Sequence, residues 1–186
     1  RITKQAVKVL HPQDEVGVLV YGGMGEQWLW TAEKKVKDKS FHLLPARDFS
    51  EIAKHINGAT IGDMPSFSRT MEMAIDDLSR SDASAKHVII ISDGDAAAPP
   101  PALLEKFVEN KVTISTIAIF PHGGTEVGTL RMIAEVCGGR FYFPDDPNLL
   151  PSIFIKESNT LKRTMIQNET VQPEMGFPSP IMAGIS

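Results

Sequence analysis

Two rhythms of hydrophobic and polar positions alternate along this chain: short continuous apolar runs, and apolar residues spaced as on one face of a helix. Val16 to Tyr21, closed by Gly22-Gly23, is a short β-branched run that predicts a buried strand. His87 to Ile91 and Val112 to Phe120 predict two more strands, and Phe141-Tyr142-Phe143 a last short one. Trp28-Leu29-Trp30 and Phe41 to Leu44 are further strand candidates around a charged turn from Glu33 to Lys39. The helical spacing begins with Ile2, Ala6, Val9 and Leu10 and stops near His11-Pro12, since proline disfavours helix in the residue before it. Phe49 to Ile56 predicts a short helix closed by Asn57-Gly58. Phe67, Met71, Ala74, Ile75 and Leu78 share one helix face, and Leu103, Leu104, Phe107 and Val108 another behind Pro99-Pro100-Pro101. Leu130, Ile133, Ala134 and Cys137 mark a helix ending at Gly138-Gly139, and Leu150 to Leu161 a final one.

Strands alternating with helices predict an α/β architecture with a mostly parallel sheet. The unbroken apolarity of His87 to Ile91 predicts that both faces of that strand are covered. In such sheets ligands bind where loops converge at the carboxyl ends of strands. That rule points to the loops after Tyr21, around Asp63, after Ile91 and after Phe120.

Composition narrows the function classes. The chain has 186 residues, enough for one domain plus a short appendage, with 42% hydrophobic and 23% charged residues. A net charge of −4 gives no reason to expect nucleic acid. No apolar run approaches the roughly 20 residues of a membrane span, so no direct membrane insertion by this segment is expected. The single Cys137 cannot form an internal disulfide. Arg1 opens directly into a helical pattern with no signal peptide before it, so the sequence reads as an internal piece of a longer protein.

Asp93 is the sharpest candidate for chemistry. It ends an apolar strand in Ser92-Asp93-Gly94-Asp95, where a carboxylate is placed to accept a cation or a donor and Gly94 lets the backbone turn. The plainer reading is an Asp that caps its own turn. Thr60-Ile61-Gly62-Asp63-Met64-Pro65-Ser66 is a loop of turn formers in which Asp63 or Ser66 caps the following helix, or Asp63 ligates a cation. Asp93 and Asp95 also match the Asp-x-Asp of haloacid dehalogenase-like phosphatases, as nucleophile and acid/base. Against that, the motif normally lies on a first strand and Ala97 stands where Thr or a Val-like residue is usual. Asp145-Asp146 beside Pro147-Asn148 reads as a solvated turn, and Gly22-Gly23-Met24-Gly25 lacks the helix start of a dinucleotide fingerprint. His11, His42, His55, His87 and His122 have no partner at metal spacing, and Trp28 and Trp30 read as packing residues.

The stretch His87-Val-Ile-Ile-Ile-Ser-Asp-Gly resembles the apolar strand and Ser/Thr-Asp-Gly loop of von Willebrand factor A domains. The resemblance extends in order through Pro12 to Val18, Met71-Ala74-Leu78, Thr113 to Phe120, Ile133-Ala134 and Gly138 to Tyr142. It implies a three-layer Rossmann-like fold over 1–162, lacking its first strand here, with 163–186 a linker or extended arm toward a following domain. It also implies a non-enzymatic protein-binding module for adhesion or scaffolding. The family's Mg²⁺ site takes an Asp-x-Ser-x-Ser motif after the first strand, a Thr from a second loop, and an Asp that maps onto Asp93. Its partner completes the coordination with an acidic side chain. The first motif is missing from this chain, and Pro65 stands where the Thr belongs unless a small insertion brings in Asp63; Ser66 and Thr60 are poorer substitutes. The resemblance therefore implies a degenerate divalent-metal site of Asp93 and Asp63, with Mg²⁺ weakly bound or absent, or a docking module that works without metal. Gly62 to Pro65, Ser92 to Asp95 and Leu150 to Glu157 further resemble bacterial membrane-anchored proteins that join such a domain to a glutamine amidotransferase-like domain. That likeness implies a parent protein anchored in the cell envelope.

Overall fold

In a computed structural model that describes residues 4, 7–8, 10–60, 62–121 and 124–168, the chain divides into an antiparallel N-terminal half and a parallel C-terminal half. Lys4, Val7 and Lys8 are helical and Val7 is buried; Ile2, Ala6 and Val9 of the opening helix lie outside the described residues. Six short strands follow: β1 (Glu15–Val16), β2 (Leu19–Gly22), β3 (Gly25–Trp28), β4 (Ala32–Val36), β5 (Lys39–Phe41) and β6 (Leu44–Pro45). They pair antiparallel as β1 with β6, β2 with β3 and β4 with β5. The strand expected from Val16 to Tyr21 is therefore two, interrupted at Gly17, where the Trp28 ring and Leu43 approach so closely that a Cβ would lie 2.6 Å from the indole. The charged turn expected from Glu33 to Lys39 is instead a hairpin turning on Lys37-Asp38, both at positive φ (52° and 58°). Such φ values match the twist of the flanking strands. Helix α1 (Phe49–Gly58) buries Ile52 against Val7, Trp30 and Ala46 in a separate small core.

The second half runs α2 (Ser68–Arg80), β7 (Lys86–Ser92), α3 (Pro101–Glu109), β8 (Val112–Ala118), α4 (Gly124–Val136), β9 (Gly138–Tyr142) and α5 (Leu150–Asn168). Strands β7, β8 and β9 form one parallel sheet in that order. Consecutive parallel strands need crossover helices, and helical spacing in the sequence supplies them. One sheet face buries Val112, Ile114 and Ala118 against Phe67 just before α2, Met71 and Ile75 of α2, Leu103 and Phe107 of α3, and Leu130 and Ile133 of α4. The opposite face carries His87, Arg140 and Tyr142, all directed at Glu157 of α5. Helices thus cover both faces, which gives the three layers of the expected α/β fold.

Several expectations need correction. Although helices lie on both faces of the sheet, the β7 residues His87 to Ile91 are only partly buried and Ile91 is 40% exposed, so the strand is less completely covered than expected. The reason is topological: β7 pairs only with β8, and among the described residues no ladder joins its other edge to β2. By contrast β8, with neighbours on both edges, is almost wholly buried. Val108, expected in the core, is exposed at the end of α3. Gly138-Gly139 opens β9 rather than merely ending α4, and the final helix continues past Leu161 to Asn168. The division at 162/163 falls inside α5, and residues 169–186 of the expected arm lie outside the described residues.

Candidate functional site

The loops expected to carry chemistry converge at the carboxyl edge of the parallel sheet. Residues 62–66 precede α2 and residues 93–100 follow β7, and a parallel bridge between Ser66 and Ala97 zips the two together. Ala97 N–H donates to the Pro65 carbonyl at 3.0 Å, and Phe67 N–H donates to the Ala97 carbonyl at 3.1 Å. The first loop is also tied to β2, since Gly62 N–H donates to the Tyr21 carbonyl at 2.8 Å.

Asp93 stands at the end of β7 and is half-buried. Ser92 shapes its turn: the hydroxyl accepts from Gly94 N–H at 3.0 Å and donates to the Asp93 carboxylate at 3.3 Å. Gly94 is at φ 95°, a conformation that excludes ordinary side chains. Asp63 and Asp95 are exposed on the two zipped loops. Neither Asp63 nor Ser66 is the cap of α2: Phe67 holds that position without a side-chain hydrogen bond, and the Ser66 hydroxyl one residue earlier accepts from Ser68 N–H at 3.2 Å.

The donors for a cation are sparse. Among the described residues no three His, Cys, Asp or Glu side chains come together in a way that could hold a metal ion. The Ser66 hydroxyl is engaged with Ser68 and the Ala97 carbonyl, and the Pro65 carbonyl with Ala97 N–H. Mg²⁺ demands near-octahedral oxygen coordination and draws on one or two protein carboxylates plus waters or a ligand. Asp63, Asp93 and Asp95 are the carboxylates of these two loops, and the Ser66 hydroxyl is turned to structural use. The side chains these loops leave for such a site are carboxylates alone, without the hydroxyl that completes the family's set.

The sequence reading missed two residues of this edge. Phe120 and Phe143 were each assigned to a strand, yet β8 ends at Ala118 and β9 at Tyr142. Phe120 turns out at φ 52° and is 73% exposed; Phe143 is 55% exposed. A signal was present: each Phe is followed by proline (Pro121, Pro144), which cannot donate to a ladder. Beyond Phe143, Asp146 accepts from Asn148 N–H at 2.8 Å, as expected for a solvated Asp turn, and leads into a short 3₁₀ turn at Pro147–Leu149. The loops of this edge, residues 62–66, 93–100, 119–121 and 143–149, hold Asp63, Asp93, Asp95, Asp145 and Asp146 and no Lys or Arg. A groove of about 450 Å³ between the β2–β3 hairpin and the end of α1, lined by Met24, Trp28, Lys54 and Thr60 among others, is built from different elements.

This fold is found in known proteins. The chain is similar to von Willebrand factor type A from Catenulispora acidiphila, at 20% identity and TM-score 0.66, covering 84% of this chain and 36% of that one. It is also similar to the conserved hypothetical protein BatB from Bacteroides thetaiotaomicron, at 14% identity and TM-score 0.64, covering 88% and 86% of the two chains. A third is an aerotolerance-related membrane protein from Bacteroides fragilis, at 12% identity and TM-score 0.60, covering 86% of each. The chain spans little more than a third of the Catenulispora protein. No family model and no curated protein matches the sequence. At these identities the likeness is one of fold, and the chain has a von Willebrand factor A-type fold.

Proposed function

We propose that this von Willebrand factor A-type fold is a non-catalytic polypeptide-binding module, acting through the loops at the carboxyl edge of β7, β8 and β9. The observation that carries this reading is the Ser66–Ala97 bridge, which locks two loops from different parts of the chain into one platform at the place where open α/β sheets bind ligands. The platform presents carboxylates, and among the described residues the cation donors fall short of a set. Binding that does not require metal is therefore favoured over the metal-dependent form, in which Asp93 and Asp63 would hold Mg²⁺ for a partner's acidic side chain. The membrane protein among the structures of similar fold supports a parent protein anchored in the cell envelope.

Photo-crosslinking in the native host tests the binding surface. A benzophenone amino acid placed at Ala98 or Asp145 is expected to capture a polypeptide, while the same probe at Asp82 or Lys111, at the opposite end of the sheet, captures none. Capture from Asp82 and Lys111 but not from the loop edge overturns the reading. So does hydrolysis of p-nitrophenyl phosphate that Asp93→Asn abolishes, which would make Asp93 a phosphatase nucleophile instead.

A further inference from the structure

Three exposed apolar side chains stand at the same sheet edge as the acidic loops. The register Ile117 opposite Tyr142 brings Phe143 alongside Ala118, two residues before Phe120, and Leu149, 49% exposed, lies at the end of the turn that follows. Phe120 is held in the left-handed region directly before a proline, where extended backbone is the ordinary choice. Strain of that kind in a large exposed aromatic marks a position maintained for its outward direction. Solvent exposure of one such residue is common, but exposure of two aromatics and a leucine together is a feature of interaction patches.

Charge specifies what the patch takes. Asp93 and Asp95 flank it from the β7 loop, and Asp145 and Asp146 from the β9 loop, with no Lys or Arg in these loops. A carboxylate-rich rim around an apolar centre raises the local concentration of cationic partners and repels anionic ones, including anionic lipid surfaces. We infer that Phe120, Phe143 and Leu149 dock a polypeptide segment in which apolar side chains alternate with Lys or Arg, the bases pairing with the rim carboxylates and no metal being needed. This rests on the polypeptide-binding reading above and names the chemistry of its partner.

The test uses the full chain and two fluorescein-labelled peptides followed by anisotropy. One alternates Leu and Phe with Lys, and its twin carries Glu in place of Lys. The Lys peptide is expected to bind in EDTA as well as in Mg²⁺, and to weaken with added salt. Phe120→Ser, Phe143→Ser and the pair Asp145→Asn/Asp146→Asn are each expected to weaken it by about tenfold, the loss of one interface anchor. Val108→Ser, an exposed apolar site on α3, leaves binding unchanged and controls for non-specific adhesion. The inference is overturned by preference for the Glu twin, by binding that requires Mg²⁺, by absence of binding to either peptide, or by indifference to the Phe substitutions. Sedimentation supplies a further arm: self-association that Lys35→Glu and Lys37→Glu abolish would make the occupant the basic β4–β5 hairpin of a second copy, overturning this inference. Crosslinking from Ala98 to a partner with an acidic surface would sink the basic-partner inference and leave the binding function standing.

Discussion

Glu157 on α5 points its carboxylate at the His87 imidazole on β7, with Oε2 3.3 Å from Nε2, and both side chains are buried. The contact falls outside hydrogen-bond geometry. The other imidazole nitrogen is engaged with the Thr113 hydroxyl at 2.6 Å. Tyr142 and Arg140 of β9 donate to the second carboxylate oxygen. One acidic side chain thereby fastens the last helix to two strands.

Burial opposes the Glu157 charge and is the largest single influence on it, but His87, Tyr142 and Arg140 together outweigh it and hold the carboxyl at about 2. A carboxyl depressed from 4.5 in the folded state adds stability that is complete above its unfolded value and is lost as pH falls toward the folded one. Wild-type stability in urea is expected to fall between about pH 4.5 and 2, by on the order of 3 kcal/mol from this group. Glu157→Gln should flatten that part of the profile. An unchanged profile in the variant would show that other carboxylates govern acid unfolding.

Asp77 and Arg80 form a second buried pair, on α2. Asp77 also accepts from His42 N–H at 2.7 Å, and Arg80 donates to the Val36 and Ser40 carbonyls at 3.2 and 3.1 Å, pinning the β4–β5 hairpin. Removing one partner strands a buried charge, so Asp77→Ala is expected to cost about 3–5 kcal/mol in the urea midpoint analysis. Asp77→Ala with Arg80→Met should cost less than the sum of the single changes. Additive losses would show that the pair is not coupled.

At Gly139 a Cβ would meet the Ile114 carbonyl oxygen at 2.0 Å and the Ser115 nitrogen at 2.8 Å, and these are backbone atoms that cannot step aside. Gly139→Ala is expected to force β8 and β9 apart and lower the melting temperature by at least about 10 °C, several kcal/mol in a chain of this size. Gly23→Ala meets nothing within 4 Å and should change stability by no more than about 0.5 kcal/mol.

Saturating Mg²⁺ is expected to leave the melting temperature where it is. A ligand bound only by the native state stabilises by about 2.7 kcal/mol at a hundredfold excess over its dissociation constant, so occupancy would be visible. A rise that disappears in Asp93→Asn would restore the metal-dependent reading.

Cys137 lies in the main core beneath α3 and α4, and burial pushes its thiol up to about 11. Its favourable neutral form persists below the usual value of 9.0, and the folded state loses that advantage as pH rises toward 11. At pH 8 the native protein is expected to react with Ellman's reagent only as fast as it unfolds; rapid native labelling would contradict the burial.

Local pattern was enough for the helices. The periodic Leu130, Ile133 and Ala134 of α4, and Cys137 just past its end, are all buried, because the residues that share a helix face lie three or four apart and are visible in any short window. The Ser92-Asp93-Gly94 turn was legible for the same reason, as its shape depends on a hydroxyl two residues before an amide and a glycine that tolerates φ 95°. What only the tertiary structure decided is which strand edges gain neighbours. His87 to Ile91 is the more apolar run, four residues of five against four of seven in Val112 to Ala118, yet among the described residues it is flanked on a single side and partly exposed while the other is enclosed. The docking of the 62–66 loop on the 93–100 loop through Ser66 and Ala97, and the outward turn of Phe120 and Phe143, were settled in the same way. Pairing between residues some thirty positions apart depends on how helices dock across the sheet, and no local period in the sequence encodes that.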